Sequence, residues 1–111
     1  MVSYVPERKD LIWINFEPQQ GKKIKKVRPA LVISPKNYNQ KTGLALCMPV
    51  TSKIKQYPFE VLTENNRIQG AILCDQIRSF DWRQRQAKYI TTLDNTIFEE
   101  VLNKFLTLVI E

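Results

Sequence analysis

The sequence has 111 residues, with seventeen Lys and Arg against eleven Asp and Glu, a net charge of +6, a pI near 9.5 and no histidine. With 43% hydrophobic and 25% charged residues it is neither a disordered nor a fibrous chain, and its length fits one domain, residues 1–111, around a modest core. No apolar run nears the roughly 20 residues that span a bilayer, and charges fill the start, MVSYVPERKDL, where a signal peptide would be apolar; a cytoplasmic protein is expected.

Taken in chain order, Asp10–Phe16 (DLIWINF) alternates loosely and is rich in β-branched and aromatic residues, which predicts a strand. Glu17 to Val27 holds Pro18, Gly21 and a run of lysines, and reads as a long loop. Pro29 then opens ALVIS, a run with the pattern of a strand buried on both faces. Pro35 to Gly43 (PKNYNQKTG) has turn chemistry throughout, and LALCMPV gives a second doubly buried strand. Phe59–Leu62 predicts a short strand and Ala71–Phe80 a longer one. Arg83–Gln86 predicts a helical turn, and Lys88–Thr91 an edge strand. The period then changes. Ile97, Val101, Phe105 and Leu108 share one helical face, flanked by Phe98, Leu102 and Val109. Thr96 and Glu99 have the spacing of a capping box. Several short strands with one C-terminal amphipathic helix predict a mainly β fold, a small antiparallel barrel carrying the helix on its sheet.

The charge is not evenly spread. Lys22, Lys23, Lys25, Lys26 and Arg28 fall within seven positions with no acid among them, directly before a rigid strand. A charge run is most often a solvated face; at the rim of a sheet it also suits a loop that binds a polyanion, nucleic acid before an acidic protein. Without histidine, acid–base and electrostatic chemistry falls to Arg, Lys, Asp, Glu, Thr, Ser or Tyr. No spacing of thiols and carboxylates predicts a metal site, and no cofactor is expected. Cys47 and Cys74, inside ALCMPV and AILCDQI, read as buried free thiols.

Six segments in order carry a resemblance across nearly the whole chain: YVPERKDLIWINFEP, the Gly21…RPALVISP block, YNQKTG, CMPVTS, YPFEV and CDQIRSFDWRQR. Together they resemble the MazF/PemK (Kid) family of messenger-RNA interferases, the toxins of type II toxin–antitoxin systems. The resemblance implies an SH3-like antiparallel barrel with short helices, usually a homodimer. It also implies sequence-specific, metal-independent cleavage of single-stranded RNA to a 2′,3′-cyclic phosphate and a 5′-hydroxyl, countered by a cognate antitoxin. For this chain, an acidic, partly disordered antitoxin segment would suit the basic surface.

By that resemblance Arg28 and Thr51 occupy the family's catalytic positions. A guanidinium fork can bridge two oxygens of a doubly charged phosphorane, which lysine cannot copy, and its pKa above about 12 makes it a poor base. A threonine hydroxyl can donate to a phosphate oxygen, although at a strand end it is more often a turn hydroxyl. Ser52 and Lys53 lie beside it. Asp75 and Gln76 match a pair suited to reading base edges, with Asp75 also a candidate base. Arg8 and Arg78 match phosphate-holding positions, Lys22 and Lys23 belong to the basic loop, and Tyr57 is placed to stack on a base. Asp81 reads as a partner ordering Arg78 or Arg83. The sequence departs from the family at Lys23, where an acid is common, at Lys22 and Leu73, where the Kid branch has His and Arg, and at Lys9, commonly Gly. The Kid-style trio therefore keeps only Asp75, while the Arg28 and Thr51 pair is complete. The alternative reading is a non-enzymatic SH3-like nucleic-acid-binding module or a DNA gyrase poison of the related CcdB fold.

Overall fold

Strand β1 (Asp10–Asn15) pairs antiparallel with β2 (Val27–Val32) on one side and β7 (Lys88–Thr92) on the other. On its far edge β2 pairs with the longest strand, β3 (Leu44–Thr51), and β3 carries two short partners along one edge: β6 (Arg78–Asp81) on its first half and β5 (Ala71–Leu73) at its end. Strand β4 (Glu60–Leu62) closes the order beyond β5. Helix α1 (Lys36–Thr42) links β2 to β3, and α2 (Asn95–Val109) ends the fold. The structure, a computed structural model, describes residues 4–16 and 26–110; the lysines at 22, 23 and 25 lie outside them.

The two continuous apolar runs are explained by burial on both faces of the sheet. On one face Leu11, Leu31, Met48, Val50 and Ile72 pack beneath α2, which contributes Phe98 and Val101. On the other, Ile12, Ala30, Val32, Cys47 and Phe80 form a second cluster, closed by Trp82 and by Tyr4 and Val5 of the N-terminal segment. Each fully buried Val, Leu, Ile, Met or Phe among them contributes about 1.5–3 kcal/mol over leaving it exposed. The mainly β antiparallel architecture with a C-terminal helix is the predicted one, and both thiols are buried and free, pushed up to about 12 by that burial.

Four local expectations are corrected. Pro35–Gly43 is a helix with caps, not a run of turns. Asn39, wholly buried at its centre, donates through Nδ2 to the Pro6 and Ser34 carbonyls, so its polar side chain is satisfied by tertiary contacts that outweigh its turn preference. Gly43 stops the helix at φ 74°, a left-handed turn that suits glycine. Second, Ala71–Phe80 is not one strand. Leu46 turns its N–H to Ser34 Oγ and its carbonyl to Ile33 N, both on the β2 side. Alternation then aims position 49 at the β5/β6 edge, and Pro49 has no N–H to give. The ladder breaks there, between the Cys47↔Arg78 and Val50↔Ile72 pairs. Third, α2 is capped by Asp94, whose Oδ2 accepts from Thr96 N at 3.0 Å, rather than by Thr96. Fourth, Leu108 and Val109 are exposed, together with Leu106 and Ile110, so the last turn of α2 lies outside the core.

Candidate active site

Strand register builds the site. The β2–β3 ladder pairs Ala30 with Pro49 and Val32 with Cys47, and continuing it by two residues sets Arg28 opposite Thr51. Residues two apart share a face, so both project on the side of Ala30 and Cys47. Arg78, the cross-strand partner of Cys47, projects there too. Arg28 and Thr51 jointly line two clefts. One, of about 280 Å³, runs on past Lys26, Gln76 and Arg78; the other, of about 440 Å³, runs past Trp13, Lys53, Arg67 and Gln69. Among the described residues, no acid lines either cleft. A third, of about 420 Å³, adjoins Thr51 and is lined by Lys53, Lys55, Tyr57, Asp75 and Gln76.

Arg28 is exposed and makes no ion pair among the described residues, so its five donors are free for an anion. Thr51 Oγ1 accepts the backbone N–H of Lys53 at 3.1 Å. That contact uses an oxygen lone pair and leaves the hydroxyl proton to donate outward. Gly70 fixes the position of Thr51 from behind: a Cβ there would lie 2.5 Å from the Thr51 carbonyl oxygen. The same strand break that split the predicted long strand turns Asp75 and Gln76 outward beside Thr51, in a turn closed by Gln76 N donating to Leu73 O at 3.2 Å. Tyr57 donates its hydroxyl to Asp75 Oδ2 at 2.7 Å, and that carboxylate raises the phenol above its ordinary value. The pair is a fixed hydrogen-bonding edge with the Tyr57 ring exposed.

Of the residues predicted from the sequence, Arg28, Thr51, Ser52, Lys53, Tyr57, Asp75, Gln76 and Arg78 come together around these clefts. Lys22 and Lys23 fall outside the described residues. Arg8 is not brought to the clefts. Its Nε donates to Ile33 O at the opposite end of β2, roughly 17 Å along the strand from Arg28. Asp81 orders neither Arg78 nor Arg83. It accepts from Gln84 N at 3.0 Å, capping the turn after β6, while the Arg78 and Arg83 guanidinium groups lie 4.9 Å from the Phe80 and Trp82 ring centres. Sequence reasoning did not single out Trp13, Lys55, Arg67 or Gln69, which line the clefts. No sequence signal sets them apart: Trp13 sits in an apolar run that reads as core, and the other three are ordinary polar residues. Among the described residues no group of three or more Cys, Asp or Glu could hold a metal ion, and no helix is long and apolar enough to cross a membrane.

Comparison with known proteins gives concordant results. The family described as "PemK-like, MazF-like toxin of type II toxin-antitoxin system" matches residues 7–109. The chain is similar to the endoribonuclease toxin MazF of Escherichia coli K12, 49% identical over 88 residues that cover 78% of this chain and 79% of that protein. Among solved structures it is similar to MazF in a MazE–MazF crystal structure from Deinococcus radiodurans, with a TM-score of 0.87 and 43% identity over 96% of this chain and 97% of that one. A second MazF crystal structure from the same organism gives a TM-score of 0.86 and 42% identity, covering 96% of this chain and 98% of that one.

Proposed function

The chain belongs to the PemK-like, MazF-like toxins of type II toxin–antitoxin systems, and on that premise we propose that it is an endoribonuclease that cuts single-stranded messenger RNA, acting as one domain. The observation that carries the chemistry is Arg28, without an ion pair among the described residues, set by register opposite a Thr51 hydroxyl whose proton is free, at the junction of two clefts that no described acid lines.

The substrate's own 2′-oxygen attacks the adjacent phosphorus and loses its proton, and the P–O5′ bond breaks as the 5′-oxygen gains one. The products are a 2′,3′-cyclic phosphate and a 5′-hydroxyl. Charge builds on the non-bridging oxygens in between. Arg28 bridges two of them and Thr51 donates to one, so stabilisation is preorganised where charge develops. An internal nucleophile, held in place by the strand itself, needs no activated water. A non-enzymatic RNA-binding module or a gyrase poison has no use for this pairing of cation and hydroxyl. Arg78 and Lys53 hold flanking phosphates, and Asp75 with Gln76 reads a base edge.

In solution the chain forms a homodimer through the apolar end of α2, and an acidic antitoxin segment covers its basic clefts. The free buried thiols fit the reducing cytoplasm. The test is end-mapping of RNA cut in excess chelator, followed by a substrate with one deoxyribose at the mapped site. The expected result is no cutting at that position with binding retained. Undiminished cutting there would falsify the internal-nucleophile mechanism, and activity lost to the chelator would refute metal independence.

A further inference from the structure

Trp13 is out of place for its strand. Every other residue of β1 is buried, yet the indole is 39% exposed, next to Pro29 in the ladder, and its N–H makes no hydrogen bond among the described residues. It forms one wall of the 440 Å³ cleft, and the loop between β4 and β5 forms another, through Arg67 and Gln69. That loop is built to hold its shape. Buried Thr63 accepts Gly70 N and donates to Ile68 O, Thr63 N donates to Gly70 O at 3.0 Å, and Asn65 Oδ1 accepts the N–H groups of Arg67 and Ile68. The side chains of Arg67 and Gln69 are therefore exposed on a fixed backbone, and the Arg67 guanidinium has no acid beside it among the described residues.

Resting on the ribonuclease reading above, we propose that this cleft is a nucleotide subsite on the side of the scissile phosphate opposite Asp75 and Gln76. The base stacks on Trp13, Gln69 meets its edge, and Arg67 holds the next phosphate outward. The placement follows from continuity. Arg28 and Thr51 project on the Ala30 face and Trp13, paired with Pro29, on the other. At the start of β2 and the end of β3, however, the pair borders both this cleft and the one that leads to Gln76, so a strand with its reacting phosphate there rounds that end from one cleft into the other. Among the described residues, three cations and no acid line this side, the charge pattern of a phosphate track with an aromatic platform in it. Recognition then extends over bases on both sides of the cut.

The test uses the full-length protein and a pool of random-sequence RNA oligonucleotides, with cut sites mapped at both new ends for wild type, Trp13→Ala, Trp13→Phe, Arg67→Ala and Gln76→Ala. Trp13→Ala and Arg67→Ala should each lower kcat/KM on the order of 10-fold. Trp13→Ala should flatten base preference at one position on one side of the cut. Trp13→Phe should keep that preference, and Gln76→Ala should alter only the other side. Arg67 is exposed on a loop, so its variant reports even if Trp13→Ala folds poorly. Unchanged kcat/KM in Arg67→Ala and unchanged preferences in a folded Trp13→Ala overturn the subsite alone. So does sedimentation showing that Trp13→Ala separates a dimer while Arg67→Ala behaves as wild type, because Trp13 is then an interface residue. Wild-type protein that cuts nothing in the pool overturns the ribonuclease reading and this subsite with it.

Discussion

At the scale of single residues, the molecule contrasts a site cation without an ion pair among the described residues, Arg28, with a carboxylate held tightly away from the site, Asp10. Arg28→Ala removes the guanidinium fork set opposite Thr51, and should raise the barrier by about 3–4 kcal/mol, by analogy with losing an oxyanion donor. Arg28→Lys should recover little of it, since a point charge lacks the planar fork. Thr51→Ala should cost less, because the Lys53 N–H it now accepts is then free to turn toward the phosphate. Single-turnover rates on one mapped substrate check all three. Asp10 is the opposite case, nearly buried, with its carboxylate accepting from Tyr4, from Glu7 N and from Thr92. Burial outweighs those bonds and raises it above its ordinary 3.8. The folded protein therefore holds this proton to a higher pH than the unfolded chain. The associated stability is present below the unfolded value and lost as pH rises through the folded one. The Tm of wild type relative to Asp10→Asn should accordingly fall as pH rises from about 3 to 6. A difference that stays flat or grows would contradict this.

At the scale of elements, the site depends on how closely β5 approaches β3. Gly70 precedes β5 by one residue and lies against the Thr51 carbonyl. Gly70→Ala forces that backbone contact apart, because neither the carbonyl nor Val50 Cγ1, 3.1 Å from the added carbon, can move freely. The expected cost is about 1–3 kcal/mol of stability. The more telling effect is a fall in kcat with KM nearly unchanged, since Thr51 shifts while the phosphate-holding Arg78 stays on β6. A variant with wild-type kcat would show that Thr51 needs no such placement. The break at Pro49 works at the same scale: a missing N–H in one strand frees its neighbour to turn Asp75 and Gln76 outward.

At the scale of the whole molecule, two surfaces remain uncovered. Leu106, Leu108, Val109 and Ile110 leave an apolar end on α2. Burying it in a second copy explains its persistence. Leu108→Lys with Val109→Lys should yield a monomer of 13.0 kDa by sedimentation, with the sheet's circular dichroism intact. A wild-type chain that sediments only as a monomer at micromolar concentration would sink the homodimer. The second surface is electrostatic. With +6 net charge and two clefts that no described acid lines, an acidic antitoxin segment should bind with an affinity that falls as salt rises. Calorimetric titrations at low and high salt check it, and a salt-insensitive affinity would count against it.

Much was legible from residue order because it depends on local pattern. Period two and period 3.6 in hydrophobicity mark strands and helix wherever burial is one-sided or continuous, and so β1, β2, β3, β4 and α2 were readable. The Arg28 and Thr51 pair was readable through the resemblance, as were Asp75 and Gln76. What residue order could not supply was anything set by a partner distant in the chain. Asn39 looks like a turn residue until Pro6, thirty-three positions away, takes its amide proton and permits a helix. Ala71–Phe80 looks continuous until Pro49 lies beside it. Trp13 looks like core until the register places it at the rim, across the cleft from Arg67. Composition and period determined the elements, because these depend on a residue and its near neighbours. Tertiary structure alone decided which polar groups are satisfied, and hence which cations, hydroxyls and aromatic faces are left over for a ligand.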